Sequence, residues 1–151
     1  MAENYVGIIA KIKQVVENMG IEGVKFFYLS MYQANVTLDR VDGKVIVVET
    51  PDFGQLVPKS LRVCDKVTFR VWFLQPRKHA DNDAMANENE VNEMKILAAQ
   101  FVKALRESGL FETKSLFEPM QYVYELSIFN RAETGIGLDM TLQELDGVKI
   151  C

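Results

Sequence analysis

Apolar residues recur every three or four positions near the start of the chain: Tyr5, Ile8, Ile9, Ile12, Val15, Val16 and Met19, with Lys11, Lys13, Gln14, Glu17 and Asn18 between them. This spacing predicts one amphipathic helix, stopped by Gly20. A second stripe of the same period (Val91, Met94, Leu97, Ala98, Phe101, Val102, Leu105) runs through "NEVNEMKILAAQFVKALRESG", with Gly109 where a C-cap belongs. Glu88, Glu90 and Glu93 near its start, and Lys103 and Arg106 near its end, suit a helix dipole.

Elsewhere the period is two. In "DKVTFRVWFLQP", Val67, Phe69, Val71 and Phe73 point one way and Thr68, Arg70, Trp72 and Leu74 the other, until Pro76 ends the run. Trp72 and Leu74 require cover on that second face, from a loop, a helix or a neighbouring subunit. "QYVYELSIFN" places Tyr122, Tyr124, Leu126 and Ile128 on one side of a strand. "GIGLDMTLQEL" places Ile136, Leu138, Met140 and Leu142 on one side of another, and "NRAETG" forms the turn between them. Gly137 reads as a position where a bulky neighbour comes close. "VTLDRVDGKVIVVET" centres Asp42-Gly43 between two β-prone runs and predicts a hairpin. "PDFGQLVPKS", with Pro51, Gly54 and Pro58, reads as a connection and not a central strand.

These elements make an α+β fold: a single antiparallel or mixed sheet of about five strands backed by two helices. The length of 151 residues, 48% of them hydrophobic, suits a single domain over 1–151, with a flexible acidic connection around 77–90. No apolar run is long enough to cross a bilayer, and the acidic start differs from a secretion signal, so no membrane partner and a cytoplasmic site of synthesis are expected. Cys64 and Cys151 read as free thiols.

Charge narrows the chemistry. The net charge is -4, and residues 76–151 hold the acidic excess, thirteen Asp/Glu against eight Lys/Arg. That balance weighs against binding nucleic acid through phosphate neutralisation, and no basic stripe interleaves the aromatics, so no sequence-specific nucleic-acid partner is expected. "HADNDAMANENEVNEM" holds five carboxylates and the lone His79. As a calcium loop starting at Asp81 it has Ala86 where glycine is needed and Asn92 where a bidentate glutamate is needed. No second soft ligand lies close to His79, Cys64 or Cys151, so no metal or other cofactor is expected. "TGIGLD" has no following helix to hold a phosphate. His79 with Cys64 or a serine is the sole triad the chain could build, and its "QPRK" context reads as a solvated loop. The expectation is therefore no enzyme.

What remains is more apolar strand surface than two helices hide. Half-covered sheets and open edges are common joining places for identical subunits. Trp72, Tyr122, Tyr124, Phe129 and Tyr32 are the oligomer-interface candidates.

The order of elements, with "FVKALRESGLFE", "YVYELSIFNRAETGIGLDMTLQEL" and the closing "GVKIC", resembles small tail-completion (tail terminator) proteins of phages and prophages of Bacteroides-type bacteria. The resemblance implies a homo-oligomeric, hexameric ring that caps the tail tube and meets tail-tube and head-connector proteins. It implies a cytoplasmic location during assembly and then the virion tail. A head-closure factor, a tail-tube subunit, or a small-ligand or peptide-binding domain are the alternatives. In the ring reading, Asp81, Asp83, Glu88 and Glu90 form an acidic loop facing the lumen or a partner, repelling DNA phosphate.

Overall fold

The computed structural model describes residues 5–30, 33, 34, 37, 42–77, 84–125 and 133–150. Tyr32, Phe129, Asp81, Asp83, His79 and Cys151 lie outside the described residues. Helix α1 spans Ile8–Met19 and ends at Gly20, whose left-handed φ of 64° is the cap the sequence predicts. Strands β1 (Val24–Leu29), β2 (Lys44–Glu49), β3 (Phe53–Lys59) and β4 (Arg62–Pro76) follow, then helix α2 (Ala84–Glu107) and a 3₁₀ turn at Lys114–Phe117. Strands β5 (Tyr122–Tyr124), β6 (Glu133–Gln143) and β7 (Val148–Lys149) close the chain.

The fold is α+β, a mixed seven-stranded sheet in the order β1-β2-β4-β6-β5, with β3 and β7 also paired to β4. Strand β4 organises it. Its 15 residues are long enough for one flank to pair with β2 through Val71–Leu74 and then with β3 through Arg62–Thr68. Its other flank carries β6 from Lys66 to Pro76 and β7 at Arg62 and Val63.

Both helices lie on one face. Ile8, Ile12, Val15 and Val16 of α1 and Val91, Met94, Leu97, Phe101 and Leu105 of α2 join the alternating residues of β4 and β6 in the main core. There Phe73 meets Phe101 edge to face, with ring centroids 5.4 Å apart. The two periods read from the sequence thus meet as a helical stripe against a strand face.

Three connections differ from expectation. The expected hairpin at Asp42-Gly43 is absent: β2 pairs in parallel with β1 on one side and antiparallel with β4 on the other. Gly43, with φ 87°, leads into β2. A parallel pair needs a crossover, and part of this one is helical at Gln33, Ala34 and Thr37. Ser30 and Gln33 begin that helical piece with a reciprocal capping box: the Gln33 amide donates to Ser30 Oγ at 3.3 Å and the Ser30 amide to Gln33 Oε1 at 3.1 Å.

"PDFGQLVPKS" contains strand β3, which turns into β4 at Ser60 and Leu61. It is an edge strand, which is where a proline such as Pro58 is tolerated. Helix α2 begins at Ala84, so Glu88 and Glu90 stand on a helix rather than in a loop, and no acidic residue occupies its first turn.

Candidate functional site

Trp72 is not at the surface. It is 1% exposed, in a second cluster on the sheet face opposite the helices, with Val45, Val47, Leu74 and Ala34. Ala34 comes from the capped β1–β2 crossover, so the cover that Trp72 and Leu74 require is supplied by the chain itself. This removes Trp72 from the interface candidates. The Arg70 guanidinium lies 5.5 Å from the Trp72 ring centroid and pairs with Asp139 at 2.7 Å and 3.2 Å. Gly137 opposes Trp72 in the ladder, and a Cβ there would stand 2.8 Å from the indole Cζ3. The steric role read from its strand position is what the structure has. Burial raises the Glu49 carboxyl pKa above the ordinary value, only partly offset by the Arg70 charge.

Tyr122 and Tyr124 are at the surface. They pair with Leu138 and Ile136, so both rings stand on the helix side of edge strand β5. The rings stack 6.0 Å apart, with Lys95 Nζ 5.1 and 5.2 Å from their centroids. Lys95 donates to the Tyr124 hydroxyl at 3.3 Å, and that hydroxyl donates to Glu88 Oε1 at 2.9 Å. Glu88 therefore clasps the sheet edge to α2. Glu90, one of the residues expected to face a lumen, is 4% exposed and points into the fold. The remaining candidates, Tyr32, Phe129, Asp81 and Asp83, are outside the described residues.

Among the described residues, other exposed large apolar side chains lie at β3. Strand β3 pairs with β4 alone among the described strands, leaving its other edge open. Phe53 is 68% and Leu56 74% exposed, and Leu61 at the β3–β4 turn is also exposed. Phe53 pairs with Thr68 and Leu56 with Asp65, so one apolar group projects on each side of the sheet at this edge. Nearby, Leu145, Val148 and Ile150 are exposed as well, and the Ile150 amide donates to the Leu61 carbonyl at 3.0 Å. Proline and glycine in β3 mask this surface in the sequence.

Next to that edge lies a buried ionic cluster that the sequence reading misses. Glu144 is fully buried; it pairs with Lys11 Nζ, accepts from the Tyr5 hydroxyl, and accepts from the Asp65 amide at 2.8 Å. Lys11 Nζ also donates to the Asp146 carbonyl at 3.0 Å. Burial, then the hydrogen bond and charge of Glu144, push the Tyr5 hydroxyl pKa up; burial and Glu144 likewise raise the Asp65 carboxyl. A signal for this cluster exists. Glu144 continues the inward parity of Ile136, Leu138, Met140 and Leu142, and Lys11 falls between Ile8 and Val15 on the buried stripe of α1.

These groups satisfy one another and tie the start of α1 to the end of β6. Cys64 is buried beside them, with its thiol 4.0 Å from the Leu145 carbonyl. Among the described residues no group of three His, Cys, Asp or Glu side chains is placed to hold a metal ion, and no helix is long and apolar enough to cross a membrane. Comparison with protein-family models and with curated proteins finds no match.

Proposed function

We propose that this chain is a structural protein of phage tail assembly, a tail-completion subunit that closes into a ring capping the tail tube and joining it to the head side. The observation carrying this reading is the open edge of β3, with Phe53 and Leu56 exposed on its two sides. A ring needs two different surfaces on each subunit, joined head to tail. The sheet has such a pair: β3 on one flank of β4, and β5 with Tyr122, Val123 and Tyr124 beyond β6 on the other. In the proposed ring the β3 edge of one subunit meets the β5 edge of the next, burying Leu56 against the tyrosine pair on the helix side and Phe53 beside Val123 on the opposite face. Pro58 limits backbone pairing at that edge, which favours closure by side-chain packing over open-ended strand addition.

The ring is built in the cytoplasm and remains in the virion tail. In the ring Glu88 faces the lumen or the head-side partner, where like charge keeps DNA from adhering. Light scattering over a concentration series, with negative-stain images of the largest species, tests the proposal. A single closed ring supports a terminator, stacked rings indicate a tube subunit, and a monomer at every concentration and in the presence of tail tubes contradicts both.

A further inference from the structure

On the sheet face opposite the helices, beyond the patch around Trp72 and Ala34, the strand register lines up two rows of side chains. Phe53, Thr68 and Thr141 stand side by side across β3, β4 and β6, and Gln55, Lys66 and Gln143 form the next row. Directly opposed residues share a face. Thr68 and Lys66 have the parity of Trp72 in β4, so both rows lie away from α1 and α2. The two threonine hydroxyls bond each other at 2.9 Å. Beyond β6 the wall is Glu118 with Ser115, whose hydroxyl donates to the Thr141 carbonyl at 3.0 Å. Between this wall and Phe53 lies a groove of about 340 Å³, toward the lower end of the range for small-molecule sites.

The polar groups of this groove are open. Among the described residues the Lys66 ammonium and the Glu118 carboxylate have no ion-pair partner, and the Gln55 amide has no hydrogen-bond partner. Two hydroxyls that share a single hydrogen bond keep one O–H free to donate and lone pairs free to accept. We infer that the groove binds a sugar, a neutral pyranose ring. One cation and one carboxylate cancel, so the groove favours a ligand that brings donors and acceptors together, as neighbouring sugar hydroxyls do. These donate to Glu118 and to the Gln55 side-chain carbonyl, and accept from Lys66 and the free threonine O–H. Phe53, 68% exposed, gives the C–H face of the ring an apolar wall. A zwitterion would satisfy Lys66 and Glu118 but would leave the phenyl ring and the hydroxyl pair without a role. The groove is complete within one subunit, and the neighbour in the proposed ring reaches Phe53 from the other side, beyond the β3 edge. The inference therefore stands apart from ring formation.

The test is saturation-transfer NMR read on the sugar, which serves a monomer and a ring alike. The full-length chain is titrated separately with the methyl glycosides of glucose, galactose, mannose and N-acetylglucosamine, and with glycine as the zwitterion. The expected result is saturable transfer to at least one glycoside, weakened about tenfold in Glu118→Gln, where a hydrogen bond to a charged group is lost, and several-fold in Phe53→Ala. Both side chains are exposed, so both variants are expected to stay folded. Absence of saturable transfer to all four glycosides overturns the inference. So does unchanged binding by the two folded variants, or transfer to glycine that the glycosides do not compete away.

Discussion

The two halves of strand β4 have opposite surroundings. From Val71 to Gln75 every residue is buried, because helices cover one face, the capped crossover helps cover the other, and β2 and β6 flank both edges. From Arg62 to Thr68 one flank is the open-edged β3 with its bare phenylalanine and leucine; Cys64 and Val67 are buried, and ionic contacts surround them: the Lys11–Glu144 pair, Lys59 with Glu112, and Arg62 with Asp146 at 2.9 Å. One half is closed by packing on all sides, and the other combines packing with ion pairs while leaving apolar surface uncovered. Exposed strand apolarity is local to the sheet edges. It lies at β3 and β5 and not around Trp72.

The largest effect is expected in the sealed half. Trp72→Ala empties a fully enclosed site on both the Val47 and Gly137 sides and is expected to cost about 3–5 kcal/mol in chemical denaturation. A loss below about 1 kcal/mol would mean that the crossover does not seal that face. In the charged half, Glu144→Ala strands Lys11 beside Tyr5, with an expected cost of about 3 kcal/mol. Replacing both members, Lys11→Met with Glu144→Leu, is expected to restore part of it, since no charge then lacks a partner while the Tyr5 hydroxyl and Asp65 amide still lose their acceptor. Equal instability of the single and double variants would show that the clamp acts through shape instead of charge.

Gly137→Ala sharpens the contrast by a smaller step. The added methyl meets the indole and the Arg70 stem, so the ring must move, at an expected cost of about 1–3 kcal/mol. Unchanged thermal stability would show the slot to be loose. The pH response is smaller still. Glu49 has its folded pKa raised, chiefly by burial, so the folded state holds this proton to higher pH than the unfolded chain does. Stability therefore falls as pH rises from the ordinary carboxylate range through the raised value. Glu49→Gln is expected to flatten that slope in melting curves between acidic and neutral pH, and an unaltered slope would assign the dependence to another group.

Much of this architecture is legible in the chain. The alternation in β6 and the stripe of α2 mark the buried faces because each element buries one face against the same core. Gly137 is legible for the same reason, as a gap in a strand of large residues. The β1–β2 pairing is not, because Asp42-Gly43 carries a local turn signal while the choice of partner strand is made by contacts distant in sequence. "SMYQ" does carry the Ser30–Gln33 capping box, the local sign that the chain leaves β1 for a helix instead of a hairpin. Strand β3 is hidden because an edge strand forms only one ladder and so tolerates the Pro58 that would exclude a central one. The clamp is visible only as charges on apolar stripes, Lys11 in α1 and Glu144 after Leu142.

The open β3 edge as the site of self-association is tested most directly by the solution mass of the double variant Phe53→Asp, Leu56→Asp beside the unaltered chain. Both side chains are exposed in the subunit, so each change should alter subunit stability by no more than about 0.5 kcal/mol. The expected result is a ring-sized species for the unaltered chain and a folded monomer for the variant at the same concentration. An assembly of unchanged size and affinity in the variant would contradict the account.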